Sequence, residues 1–283
     1  MKPVTIVIAT YNGGRFLREQ LLSIVNSTAF DKLVEEIVVR DDGSNDDTIK
    51  ILSEFRGLYP LKLLNTTTKG LGAKKNFSEA LGYAHSKFVM TCDQDDVWHK
   101  NKIAASFDEI DKLHKESPIC FSFCDVEVVD TYLNVLFPSF VNSNGMKEED
   151  INLNCLLVNN FAPGCSSIFS RELLDISLPV PDEAIMHDWW LILNAATYGK
   201  VSFINAPLMK YRQHDNNTVG YVKRSYFDKL KNIFGEAMDY KASCAARKIQ
   251  IHKLFNKDFK AGKLFFARNE KTWKRKIMAL ILA

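Results

Sequence analysis

Apolar positions along the first hundred residues follow two alternating rhythms. Val4, Ile6, Val7, Ile8 and Ala9 form a short β-rich run closed by Tyr11-Asn12-Gly13-Gly14, which predicts a strand over 4–9 and a turn after it. Phe16, Leu17, Leu21, Ile24 and Val25 then recur at near-helical spacing, so a helix follows. The pair repeats. A strand over 36–40 stops at Asp41-Asp42-Gly43-Ser44, and a helix begins near Asp46-Asp47-Thr48. A third strand over 61–64 leads through a glycine loop into a helix over 76–84. A fourth, over 88–92, ends at Asp93-Gln94-Asp95-Asp96. Four alternations predict an α/β fold with a mainly parallel, Rossmann-like sheet and helices on both faces. Ligands of such sheets bind beyond the carboxyl ends of the strands. Tyr11-Asn12, Asp41-Asp42 and the acidic cluster at 93–96 all fall at such ends, which predicts one shared crevice.

The second half is less regular. Strands are predicted over 119–123, 126–129, 166–169, 201–204 and 208–212, with a short apolar helix over 188–197. Basic helices follow residue 221, the last over 271–282. There is no internal repeat.

Charge divides the chain in the same place. Residues 221–283 hold 16 basic and 5 acidic side chains, a net +11, which leaves −8 on the first 220 out of the formal +3. An acidic body with a basic tail is not the footprint of a nucleic-acid-binding domain. In the tail, Lys271, Lys274, Arg275 and Lys276 lie beside Trp273, Ile277, Met278, Leu280, Ile281 and Leu282. That composition suits an interfacial helix on anionic lipid, or a surface that docks on protein. The six cysteines form no CxxC pair and no zinc spacing, so buried free thiols are expected. The opening residues run straight into a strand pattern and no apolar run reaches membrane-spanning length. The expectation is a cytoplasmic protein at the inner face of the cell membrane.

Three carboxylates within four residues at the end of a buried strand repel one another and need compensation. Mg²⁺ or Mn²⁺ shared with a diphosphate would supply it, and alternation on an extended segment would let Asp93 and Asp95 converge. On the residues alone a solvated acidic turn is an equal alternative. Asp42 could accept the imide N–H of a pyrimidine while Tyr11 stacks on the base; a plain turn role is the alternative. The segment Gly70-Leu71-Gly72-Ala73-Lys74-Lys75-Asn76 brings cations near phosphate but is neither a dinucleotide fingerprint nor a Walker loop.

Taken together, the opening Thr5-Ile6-Val7-Ile8-Ala9-Thr10-Tyr11-Asn12, the Asp41-Asp42-Gly43-Ser44 turn and Asp93-Gln94-Asp95-Asp96-Val97-Trp98 resemble the family-two glycosyltransferases of the glycosyltransferase A fold, over roughly residues 3–218. The resemblance implies nucleotide contacts from Thr10, Tyr11, Asn12, Asp42, Lys75 and Asp93. It implies a metal held by Asp93 and Asp95, with His214 as a third ligand or a loop hydrogen-bonder. The family's Glu-Asp pair at a helix start is matched by His187-Asp188, which makes Asp188 the catalytic base and leaves the role of His187 open. His187, Trp189 and Gly164 are assigned to the acceptor side, against packing roles for each. His187-Asp188-Trp189-Trp190 with Tyr211-Arg212-Gln213-His214 looks most like bacterial rhamnosyltransferases of surface-polysaccharide assembly.

The implied activity is inverting, metal-dependent transfer of a sugar, rhamnose from dTDP-rhamnose, to a glycan or lipid-linked acceptor. UDP-glucose or UDP-galactose is the alternative donor. A nucleotidyltransferase or a carbohydrate-binding protein would be the alternatives of another class. The expected organisation is a catalytic domain over 1–220, with a nucleotide-binding half (1–100) and an acceptor-binding half (101–220), followed by a basic helical extension over 221–283.

Overall fold

Strand–helix alternation builds one sheet whose two halves are wired differently. The computed structural model describes residues 1–65, 70–214 and 233–255, with side chains in the last helix from residue 242. The first half runs β1 (Val4–Thr10), α1 (Leu17–Val25), α2 (Phe30–Leu33), β2 (Val34–Asp41), α3 (Thr48–Arg56), β3 (Leu61–Leu63), α4 (Gly72–Leu81) and β4 (Phe88–Cys92). Its strands lie parallel in the order β3-β2-β1-β4.

The second half continues with β5 (Val97–Trp98), α5 (Lys102–His114), β6 (Cys120–Val129), β7 (Val135–Phe137), α6 (Phe140–Ser143), α7 (Leu153–Leu156), β8 (Ser167–Ser170), α8 (Arg171–Ser177), α9 (His187–Tyr198), β9 (Lys200–Arg212) and α10 (Ile233–Phe255). Strand β8 slots antiparallel between β4 and β6, β6 runs parallel to β9, and β5 closes antiparallel on β9. The sheet is therefore parallel across its first four strands and mixed beyond them.

Alternate side chains on each strand serve opposite faces. Ile6, Ile8, Ile37, Val39, Phe88 and Met90 pack with Leu17, Leu21 and Ile24 of α1, Ile51 and Phe55 of α3, and Ile103 and Ile110 of α5. Val7, Val38 and Val89 face the other way, onto Phe77 and Leu81 of α4, Leu173 of α8 and Ile192 of α9. Leu17, Leu21 and Ile24 follow i, i+4, i+7 spacing, and each fully buried aliphatic side chain contributes about 2 kcal/mol.

Two predicted strand pairs are single strands. The runs at 119–123 and 126–129 are both β6, and those at 201–204 and 208–212 are both β9. The β6–β9 register shifts between Cys124 and Asp125 and again between Asp125 and Glu127. A bulge breaks the period-two pattern without ending the strand. Helix α10 is part of the predicted basic extension, yet Cys244, Ile251 and Leu254 join the core shared with α9. Tyr198 Oη also donates to the Leu254 carbonyl at 3.2 Å. The predicted helix over 271–282 lies outside the described residues. All six cysteines are free, five of them buried. Among the described residues no helix is long and apolar enough to cross a membrane.

Candidate active site

The carboxyl ends of β1, β2 and β4 meet in one frame of hydrogen bonds. Thr10 Oγ1 donates to Asp41 Oδ2 at 2.8 Å, and Asp41 Oδ1 accepts the Gly43 and Ser44 N–H groups. Asn12 sits at φ 47°, a left-handed position that asparagine tolerates. Its N–H donates to Ser44 Oγ and its Oδ1 accepts Asn45 N–H. The Gln94 amide grips Tyr11 from the β4 side: Oε1 accepts its N–H at 2.9 Å and Nε2 donates to its carbonyl at 3.0 Å. A Cβ on Gly13 would stand 2.3 Å from Gln94 Oε1, so a larger residue there would push the Gln94 amide off Tyr11. Within this frame the Tyr11 side chain stays 56% exposed, available for stacking.

Asp42 is buried at the edge of the frame. Its Oδ1 accepts from Arg40 Nη1 (3.2 Å) and Leu71 N–H (3.0 Å), and its Oδ2 from Gly72 N–H (2.9 Å). A carboxylate has about four acceptor positions, so one remains, on Oδ2. The donors from Leu71 and Gly72 come from the start of α4, where negative charge is favoured. Lys75, expected on phosphate, instead pairs with Asp182 Oδ1 at 2.9 Å, both side chains being more than half exposed.

The acidic cluster is arranged differently from the sequence expectation. Alternation would bring Asp93 and Asp95 together, but β4 ends at Cys92 and residues 94–95 form a bend, so alternation stops. Candidate ligand atoms of Asp93, Asp96 and Cys165 lie within 4.8 Å of one another. Asp95 turns to His214, whose Nε2 is 2.8 Å from Asp95 Oδ2, and the His214 ring stacks on Phe16 at 5.0 Å.

Asp96 is tied into the core of the bend. It is fully buried, its Oδ1 accepts Arg212 N–H at 3.0 Å, and its Oδ2 has no partner. Arg212 clamps the bend, donating from Nε to the Asp95 carbonyl at 2.7 Å and from Nη1 to Thr131 O at 2.8 Å, and pairing with Glu19. An arginine at the end of a half-apolar strand gives no hint that it folds back onto residues more than a hundred positions earlier.

Charge in the cluster is under-compensated. Burial first, then the charges of Asp95 and Asp188, push the Asp93 carboxyl from 3.8 up to about 7, against a smaller opposing effect of the Cys165 thiol. The native state thus keeps a proton that the unfolded chain has released. This contribution to stability is full below about 3.8 and is lost as pH rises through 7. A cation held by Asp93 would have to displace that proton. Mn²⁺ affinity, measured by calorimetry, is expected to fall about tenfold per pH unit below 7 and to level off above it. A flat profile from pH 5.5 to 8 would contradict this.

Across from Asp93 stands Asp188, in the first turn of α9; the N-cap is Met186. Its Oδ2 accepts from Asn160 Nδ2 at 3.1 Å and its Oδ1 from Trp189 N–H at 2.7 Å. Gly164 lies directly beside it, and Thr91 of β4 donates to the Gly164 carbonyl at 2.6 Å. A Cβ at Gly164 would lie 3.3 Å from both Asp188 Cβ and His187 Nε2. Gly164→Ala is therefore expected to shift Asp188 by a few tenths of an ångström and lower turnover about tenfold with little change in melting temperature.

One acceptor-side expectation, Trp189, is corrected. Trp189 is buried and its indole N–H donates to Leu156 O at 2.7 Å, while Trp190 uses Ser177 O at 3.0 Å. Neither ring is open to a sugar face, because the apolar bulk of α9 is needed in the core. His187 is 4% exposed and stacked on Phe77 at 4.1 Å. Burial lowers its pKa, opposed by the Asp188 charge, and both ring nitrogens lack partners.

The comparisons agree with this architecture. The family model described as glycosyl transferase family 2 matches residues 5–176. The dTDP-rhamnosyl transferase RfbG of Shigella flexneri is 29% identical over 226 residues, 75% of this chain and 73% of that protein. The chain spans 63% of the length of mycobacterial relatives that are 26% identical. Among solved structures, Staphylococcus aureus TarS 1–349 in complex with UDP-GlcNAc aligns with a TM-score of 0.65 at 19% identity, covering 95% of this chain and 71% of that one. The Pyrobaculum calidifontis mannosyltransferase PcManGT, in complex with GDP-Man and Mn²⁺, gives 0.60 at 18% identity, covering 100% and 74%.

Proposed function

Because this chain belongs to glycosyl transferase family 2 and is a glycosyltransferase using a nucleotide-sugar donor, we propose that it transfers rhamnose from dTDP-rhamnose to a hydroxyl of a glycan or lipid-linked acceptor, with inversion. The observation that carries this reading is the juxtaposition of two groups. An anionic cluster ends β4 beside the Tyr11–Asp42 pocket, and one carboxylate, Asp188, faces it from α9.

In this reading Tyr11 stacks on the thymine and the open acceptor position on Asp42 Oδ2 takes its imide N–H. The raised Asp93 fits a hard divalent cation, Mg²⁺ or Mn²⁺, held by Asp93 and Asp95 once Asp95 turns from its present contact with His214, which would follow it onto the metal. Bound there, the cation would offset charge on the departing diphosphate. Asp188 takes the proton of the attacking hydroxyl, while Asn160 and the Trp189 N–H hold its oxygens in place. In this reading His187, neutral and unpaired beside Gly164, offers a ring nitrogen to an acceptor hydroxyl.

The likeness to a UDP-GlcNAc complex favours a second donor class, a UDP-hexose or UDP-N-acetylhexosamine. A screen of dTDP-rhamnose, UDP-glucose, UDP-galactose and UDP-GlcNAc with Mg²⁺ and Mn²⁺ separates them. Nucleoside diphosphate release from dTDP-rhamnose is expected to dominate; release from a UDP-sugar alone would overturn the donor assignment. We further propose that residues 1–220 together with α10 form the catalytic unit and that the basic segment beyond α10 holds it on anionic lipid at the cytoplasmic face of the membrane.

A further inference from the structure

Helix α4 touches both sides of the candidate site, and it does so with one face. At its start, Leu71 and Gly72 N–H groups hold the Asp42 carboxylate. One turn on, Lys74 Nζ donates to the carbonyls of Asp182 (2.8 Å) and Ala184 (2.7 Å). Phe77 stacks on His187 at 4.1 Å with an interplanar angle of 17°. Ser78 Oγ accepts the Val180 N–H at 3.0 Å. Positions 74, 77 and 78 are i, i+3 and i+4, hence neighbours on one helix face. All three hold the segment 180–187 that delivers Asp188.

That segment is gripped from its far side as well. Gln250 of α10, fully buried, accepts the Ile185 N–H at 2.8 Å, and Lys253 pairs with Glu183 at 3.5 Å. Between the Lys74 and Gln250 contacts the chain has little freedom before α9 begins at His187. The ammonium of Lys74 is only partly exposed and has both carbonyls as acceptors. It can satisfy two of its three donors there and no substrate contact is needed to account for it.

We propose that Lys74 is a positioning residue that sets Asp188 relative to the donor pocket, with α4 as the rigid strut between Asp42 and the 182–188 segment. This rests on the reading of Asp188 as the base. Rigid elements that bridge two sites carry displacement from one to the other. Loss of the Lys74 donors releases the 182–184 stretch, between the Ser78 and Gln250 contacts, without touching the donor-side residues, so the cost falls on turnover. A misplacement of about 1 Å in a catalytic group costs on the order of a hundredfold.

The test compares Lys74→Met, which keeps the aliphatic stem but no donors, Lys74→Arg, which restores donors, and Asp188→Asn. The probes are UDP and dTDP with Mn²⁺ for binding, and nucleoside diphosphate release from dTDP-rhamnose and UDP-GlcNAc, with water as acceptor, for turnover. Lys74→Met is expected to lower kcat about ten- to a hundredfold while nucleotide Kd stays within twofold, and Lys74→Arg to recover most of the loss. In a Lys74→Met/Asp188→Asn double variant the Lys74 effect should vanish, because nothing remains to be positioned. Unchanged kcat in Lys74→Met, or an undiminished Lys74 effect in the double variant, would overturn the proposal. A weakened nucleotide Kd in Lys74→Met would do so too, by placing the residue in the donor pocket. Should Asp188→Asn itself retain full turnover, the base assignment fails first, and that outcome is separate from the other three.

Discussion

Asp188→Asn is expected to reduce turnover by about 10²–10⁴-fold, the range ascribed to a positioned general base, with nucleotide affinity unchanged. The substitution keeps the shape of the side chain and removes its proton-accepting charge. It also has a structural cost that can be anticipated from the contacts. Both carboxylate oxygens accept hydrogen bonds, one from Asn160 Nδ2 and one from the Trp189 N–H. An asparagine can satisfy only one of these, and its amide N–H₂ must face the other donor. Loss of negative charge in the first turn of α9 adds a further destabilisation of about 0.3–1 kcal/mol. Melting temperature should therefore fall slightly while turnover collapses. A variant with a lowered melting temperature and intact turnover would show that Asp188 is a helix-start carboxylate and nothing more.

Asp95→Ala is expected to weaken Mn²⁺-dependent nucleotide binding by about two to three orders of magnitude, consistent with a cation contact worth several kcal/mol. Without metal the two proteins should bind nucleotide alike. The side chain is now paired with His214 at 2.8 Å, so its removal also frees that imidazole. Asp96→Ala would behave differently. It strips the partner from the Arg212 N–H in a buried setting, and its main effect should be on folding. Calorimetry with and without Mn²⁺, alongside urea melts of both variants, distinguishes a ligand carboxylate from a structural one. Loss of metal dependence in Asp96→Ala but not in Asp95→Ala would place the cation between Asp93, Asp96 and Cys165 instead.

Much of the frame was legible because it depends on local pattern. The first, second and fourth strands and the polar runs that end them follow from hydrophobic periodicity and turn chemistry, and their alignment follows from parallel topology. What periodicity could not reach are the bonds between residues far apart. The Arg212 clamp and the His214–Asp95 contact span 117 and 119 positions. The antiparallel insertion of β8 is likewise a tertiary choice that a four-residue run of Ser-Ile-Phe-Ser does not announce. Trp189 is open to either an acceptor or a packing role in the sequence, and only the distant Leu156 carbonyl that takes its N–H decides for packing.

That insertion bears on how such an enzyme could be rebuilt. Strand β8, from late in the chain, completes the sheet against β4, the last of the four parallel strands. A fragment cut near residue 100 would expose β4 as a bare apolar edge, open to pairing with other chains. The recognition of donor and of acceptor can thus be separated in thought but not by a single cut. Chimeras would have to exchange surface segments on an intact sheet, leaving β8 where it is.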